Sequence, residues 1–241
     1  MSDYRSYPQT RGQTQVQYDA GLRSYMLGVY NYMALGVAVT AAVVLGVASN
    51  PAVFAAVSSM SLLFFFAALA LGFFAPRMIF SGNTALAHTA FWSYCGLWGL
   101  MMAPMMARYL ALDPQLVLQA FAVTAATFAG TSLFGYVSKR DLSGFGGIFF
   151  MASIGIIIAI LANAFFFHSG IFSLVTSIIT VLLFSGVTAY ETQMIKEMYA
   201  EGDAPGVAKG KSIFGAFALY GSFVTLFVHI LNILGLMRSN N

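Results

Sequence analysis

Charge is what this 241-residue chain has least of: 8% of its residues are Asp, Glu, Lys or Arg, against about 25% in a soluble globular domain. With 59% apolar residues and 23 Phe, no water-soluble surface can be built, and the solvent for most side chains is a bilayer. Cysteine is equally scarce. Cys95, the single one, lies inside an apolar run, which excludes a disulfide framework and a thiolate cluster for a structural metal. The 11 Lys and Arg leave a net charge of +3 but form no basic block, so the cationic track that binds nucleic acid is missing. His88, His168 and His229 fall on separate segments without ligand spacing; neither a metal site nor a cofactor is expected.

Long apolar runs are what the chain has instead. Stretches free of Asp, Glu, Lys and Arg cover 24–76, 78–107, 114–138, 142–190 and 212–237. A spanning helix needs about 20 apolar residues, so the two longest runs hold two helices each. They divide at Ser49-Asn50-Pro51 and at His168-Ser169-Gly170, where turn formers cluster. The result is an all-α integral membrane protein with seven transmembrane spans, expected near 25–48, 53–74, 85–106, 116–137, 144–166, 171–191 and 214–236. Residues 19–241 form one seven-helix domain. Residues 1–18, rich in Gln, Tyr and Arg, lack the early apolar core of a signal peptide and read as a disordered cytoplasmic tail, with Asp19 as N-cap of the first span.

The cations set an orientation. Arg5, Arg11, Arg23, Arg77, Lys139, Arg140, Lys196, Lys209 and Lys211 fall on one side of the membrane, and Arg108 and Arg238 on the other. Nine against two puts the N-terminus in the cytoplasm and the C-terminus outside, unless the last helix is re-entrant.

Polar residues inside the spans carry the functional signal, because a bilayer penalises them. Glu191 is the only carboxylate contiguous with a span, at the end of the sixth. It reads either as a helix-end acid reaching the headgroups or as a partly buried acid whose proton or cation occupancy sets a conformation. Burial and a neighbouring arginine act on such a group in opposite directions, and Arg77, ending the second span, is the candidate partner. In the last span Ser222, Thr225, His229 and Asn232 recur at spacings of 3, 4 and 3, which places them on one helical face. That stripe either hydrogen-bonds neighbouring helices or lines a wet path. Met101, Met102, Met105 and Met106 around Pro104 read as adaptable packing, and Asn163 as a satisfied packing amide.

Missing chemistry removes several seven-helix functions. The last span has no lysine for a retinal Schiff base, no Asp lies in any span for an aspartyl protease, and His-Glu-x-x-His is absent. Ser222 and His229 share a face but are separated by about 10 Å of helix rise, too far for a catalytic dyad. No catalytic residue is assigned and no enzyme activity is expected.

Three segments carry a family resemblance: Lys139-Arg140-Asp141-Leu142-Ser143, Ala189-Tyr190-Glu191-Thr192-Gln193-Met194-Ile195-Lys196, and Leu219-Tyr220-Gly221-Ser222-Phe223-Val224-Thr225-Leu226-Phe227. Over about residues 20–237 the chain resembles the Bax inhibitor-1 (transmembrane Bax-inhibitor-motif) family. The resemblance implies the Bax-inhibitor-like fold, with the last helix central among the other six, in a bacterial inner (plasma) membrane. It further implies pH-sensitive calcium leak, protection against stress-induced death and, in bacteria, a link to a membrane-anchored quality-control protease. The implied partners are therefore the lipid bilayer, calcium or protons, and such a protease. The implied pH sensor pairs two acids with an arginine. Glu191 and Arg77 match two of those positions, while Ser222 stands at the second acid. Calcium prefers six to eight oxygen ligands with carboxylates among them, so one carboxylate and a hydroxyl make a poor calcium site. The alternative function is a non-conducting modulator of a membrane protease, working through the tail and the 192–212 segment.

The orientation is testable with reporter fusions. Alkaline phosphatase joined after Asn241 is expected to be active, and a fluorescent protein joined before Met1 to fold in the cytoplasm. The opposite pattern would reverse the assignment.

Overall fold

Short polar side chains decide where the apolar runs break. Asn50 Oδ1 accepts from the amides of Ala52 at 3.0 Å and Val53 at 3.3 Å, with Pro51 as the first helical residue. Asn83 Oδ1 accepts from Ala85 at 3.0 Å and Leu86 at 3.2 Å. Asp113 Oδ1 accepts from Gln115 at 3.1 Å and Leu116 at 3.4 Å, followed by Pro114. Each satisfies amides that a helix start leaves without intrahelical partners, and proline is tolerated there because its missing N–H is one of them.

The computed structural model describes residues 10–239, with side chains over 18–238. The helices are α1 (Thr10–Ala48), α2 (Pro51–Ser59), α3 (Ser61–Ile79), α4 (Thr84–Leu112), α5 (Pro114–Val137), α6 (Gly146–Ala162), α7 (Gly170–Glu197) and α8 (Pro205–Ser239). Seven are long and apolar enough to cross a membrane, α6 with its flanking turns; α2 is not. The second span therefore differs from the expected 53–74. Its first residues form the separate helix α2, and the span proper is Ser61–Ile79. Ser58, Ser59 and Ser61 crowd the break, and the Ser59 hydroxyl donates to the carbonyl of Ala56 at 2.8 Å, the local side-chain bonding that competes with helix continuation.

The start of α1 also corrects the sequence reading. Residues 1–9 of the expected tail lie outside the described residues, but 10–18 form the first turns of α1, and Asp19 sits inside the helix rather than capping it. No proline follows Pro8 before Pro51, so nothing stops the helix of the first span from extending outward.

Asn163 organises the turn between α6 and α7. Residues Asn163–Phe167 form one π-helical turn and His168 adopts a left-handed conformation, φ 48°. Asn163 Oδ1 accepts from the Ser169 amide at 3.0 Å, and its Nδ2 donates to the Ser169 carbonyl at 3.3 Å. The amide is satisfied locally, closing the turn.

The last span is central. In its most apolar stretch 67% of residues are buried, against at most 28% in every other span. Helix α8 packs on α1, α3, α4, α5 and α7. The sixth neighbour expected around it is absent: α6 packs on α7 and its own flanking turns only, and none of its span is buried. Without polar or small-residue contacts to α8, its Ile148, Phe150, Met151 and Ile158 face outward, where lipid is as good a partner as protein.

The ends of the helices group as the charge count requires. Tyr199 after α7 stacks edge-on to Tyr18 at 5.3 Å and meets Tyr25 at 5.6 Å, and Phe80 after α3 meets Phe214 of α8 at 5.0 Å. At the opposite face Arg238 forms an ion pair with Asp113 in the α4–α5 turn. Helix α8 therefore traverses the whole bundle and is not re-entrant.

Close packing of α5 on α7 depends on one glycine. A Cβ at Gly135 would overlap the Ala189 carbonyl, backbone that cannot swing aside, whereas one at Gly130 would meet nothing within 4 Å. Gly135→Ala is expected to lower stability by about 1–3 kcal/mol through forced separation of the helices. Gly130→Ala should be neutral or stabilising, by up to about 1 kcal/mol. Thermal unfolding of both variants in detergent micelles checks the contrast.

Candidate functional site

Helices α7 and α8 run antiparallel, so early residues of one oppose late residues of the other. Their facing sides carry a polar seam. At one end the Ser222 hydroxyl donates to Glu191 Oε2 at 2.6 Å. Toward the other end Ser177 Oγ lies 3.0 Å from His229 Nδ1, and Asn232 Nδ2 donates to Ser177 Oγ and to Ser173 Oγ, each at 2.8 Å. Three members of the predicted stripe thus bond across to α7. The fourth, Thr225, donates to the Gly221 carbonyl of its own helix at 2.8 Å.

Sequence reasoning missed the α7 half of the seam. Ser173, Ser177, Thr180, Thr188 and Glu191 recur at helical spacing in the sixth span, the same kind of signal that exposed the stripe on the seventh. Ser177 and His229 stand at the separation of a nucleophile and its base, but Ser177 is 1% exposed and offers no approach for a substrate carbonyl. The pair joins two helices.

Glu191 and Ser222 are brought together as the sequence motifs suggest; Arg77 is not. The expected ion pair between Arg77 and Glu191 is absent. The ion pairs among the described residues are Lys211–Asp203 and Arg238–Asp113, and the Arg77 side chain is exposed in the last turn of α3. The reason lies in depth. The end of α3 meets α8 near Gly210 and Phe214, roughly two to three turns from Ser222 along the helix, and its arginine points outward. Around Glu191 the structure instead places Ser222 and partly buried Tyr94 of α4, whose hydroxyl approaches Gly221.

Away from the seam, Gln193 of α7 joins two of the sequence motifs. Gln193 Oε1 accepts from the Leu142 amide at 2.7 Å, and its Nε2 donates to the Arg140 carbonyl at 2.8 Å. The Lys139–Ser143 turn is thereby tied to the end of α7. Within that turn, hydrogen bonds from Ser143, side chain first and backbone amide second, hold the exposed Asp141 carboxyl below the usual carboxylate range.

Chemically, the site offers one carboxylate and one hydroxyl. It can hold a proton, or a cation that brings most of its own water, and it falls short of the six to eight oxygens calcium prefers. Among the described residues no three His, Cys, Asp or Glu side chains gather to hold a metal ion. Met102 and Met106 are buried packing residues.

A family model described as inhibitor of apoptosis-promoting Bax1 matches residues 22–240, which takes in all three motifs and the whole α7–α8 seam. The chain belongs to the Bax inhibitor-1 family. The Escherichia coli inner membrane protein YbhL is 37% identical over 239 residues, covering 95% of this chain and 98% of its own. An uncharacterized protein of Deinococcus radiodurans is 39% identical over 216 residues, 88% of this chain and 90% of its own. One of Caulobacter vibrioides is 36% identical over 244 residues, 96% and 95%. This Bax inhibitor-1 family member is an integral, multi-pass membrane protein.

The seam's contribution to stability can be measured. Asn232→Leu removes two donated hydrogen bonds and is expected to cost about 1 kcal/mol, the scale of interhelical hydrogen bonds in membranes. A thermal shift in micelles reads it, and an unchanged melting temperature would show that the seam does not hold the helices.

Proposed function

We propose that this protein is a pH-sensitive cation leak pathway of the bacterial inner membrane, with its N-terminus in the cytoplasm and a role in stress protection. Glu191 is its proton-accepting group. The observation that carries this reading is the Ser222 hydroxyl on Glu191 Oε2 at 2.6 Å, which sets a carboxylate of α7 against the central helix.

The absent arginine sets the sign of the switch. Protonation of Glu191 breaks no ion pair; it removes a charge. A protonated carboxyl and Ser222 satisfy one another, because each group then has a donor and an acceptor. An ionised carboxylate within a bundle demands a counter-charge or water beyond what one hydroxyl supplies. The ionised form therefore draws in a cation and water and favours conduction, and the protonated form favours closure. With one acid, the pathway suits a monovalent or hydrated ion better than a dehydrated calcium ion.

The test is flux in proteoliposomes over about pH 5 to 8, the range a switch of physiological use must cover. Cation efflux is expected to rise with pH in the wild-type protein and to stay low and flat in Glu191→Gln. Ser222→Asp, which supplies the second acid, should raise calcium flux relative to potassium flux. Absence of flux at every pH, or an unaltered pH profile in Glu191→Gln, would sink the proposal.

A further inference from the structure

Helices α1 and α5 make no close backbone approach to one another. They are linked by the Tyr30 hydroxyl, 2.7 Å from Ser132 Oγ, and Ser132 in turn lies 2.9 Å from Thr192 Oγ1 of α7. Two cavities occupy the gap, one in each half of the membrane. The cavity on the Arg238 side, about 370 Å³, is walled by apolar side chains and Thr40. The Thr40 hydroxyl is already engaged, 2.6 Å from the Tyr220 hydroxyl and donating to the Cys95 carbonyl at 3.0 Å, so nothing there orients a polar group.

The cavity on the N-terminal side is different. It measures about 550 Å³ and grades from charged to apolar. Arg23 and Tyr136 stand at its outer end, Leu27 and Leu133 about one turn further in, and the Tyr30–Ser132 hydroxyl pair and Ala129 deeper still. Arg23 and Tyr30 are seven residues apart on α1, about 10 Å along the axis, the distance from a headgroup phosphate into the upper acyl region. Arg23 is exposed and belongs to neither ion pair of the described residues. A second cation reinforces the rim: Lys196 Nζ lies 5.2 Å from the centroid of the Tyr136 ring. Positive at the interface and apolar directly beneath, at Leu27 and Leu133, is the order of headgroup and acyl chain in a phospholipid, and a guanidinium matches a phosphate in shape and charge.

We propose that the cavity between α1 and α5 binds one phospholipid from the leaflet on the N-terminal side, its phosphate on Arg23 and one acyl chain against Leu27, Ala129 and Leu133. The ligand class is an anionic glycerophospholipid. The site stands whether or not the bundle conducts ions.

Native mass spectrometry of the full-length protein in detergent, titrated with phosphatidylglycerol or with the matching diacylglycerol, tests this. Wild-type protein is expected to retain a single phosphatidylglycerol. Arg23→Gln should weaken that binding about tenfold, the worth of one charge-assisted hydrogen bond, and leave diacylglycerol binding unchanged. Ala129→Trp fills the apolar wall from an exposed position and should abolish binding of both. Equal phosphatidylglycerol binding by wild type and Arg23→Gln would overturn the proposal, as would undiminished binding by Ala129→Trp with wild-type helicity. Should Ala129→Trp fail to fold, the Arg23→Gln comparison decides by itself.

Discussion

A bilayer gives apolar side chains no reason to prefer protein over lipid, and the arrangement of this bundle depends on that constraint. Burial of Leu or Phe between helices gains little over burial in acyl chains, so close packing and polar contacts choose the neighbours. Helix α8 holds its central place through both. Gly215 lets Ile195 and Val29 approach its backbone, and Ser222, His229 and Asn232 find partners along α7. Helix α6 has neither means of reaching α8 and stays at the edge, with lipid on most of its surface.

The same constraint gives Glu191 its significance. Among the described residues it is the acid that faces a neighbouring span from within the bundle, and a carboxylate there must be answered by something. The answer is a hydroxyl from α8 rather than the guanidinium of α3. This changes the kind of switch the site can be. An acid latched by arginine responds to protonation by losing an attraction, whereas an acid met by a serine responds by losing a charge that had to be hydrated. Ser222 in place of a second carboxylate also lowers the demand for a divalent ion.

The two interfaces of α1 and α5 show how uneven the bundle is. Against α4 and α8, α1 is closely packed through Gly36, where a Cβ would press on Phe91 and Cys95. Toward α5 it is held by a hydroxyl pair with cavities on either side. A gap of that kind in water would be a defect, but in a membrane its natural filling is lipid. Hydroxyl contacts connect it through Ser132 to Thr192, the residue after Glu191, so the lipid-facing flank and the acid share a wall.

The chain alone was enough to establish the seven spans, the grouping of cations at two faces and the single acid bordering a span, because each follows from how the bilayer penalises charge along a linear sequence. The breaks at Asn50 and Ser169 were equally legible, since capping and turn formation are local. Helical period also placed Ser222, His229 and Asn232 on one face, and family motifs brought Glu191 forward. Only the tertiary structure decided what those residues meet. Period fixes a residue's face but neither its depth against a neighbouring helix nor the rotation of that helix. That is why Arg77 matched by motif yet misses Glu191, why Ser173 and Ser177 became the partners of Asn232 and His229, and why a gap between α1 and α5, two elements distant in sequence, could be seen only once the helices were assembled.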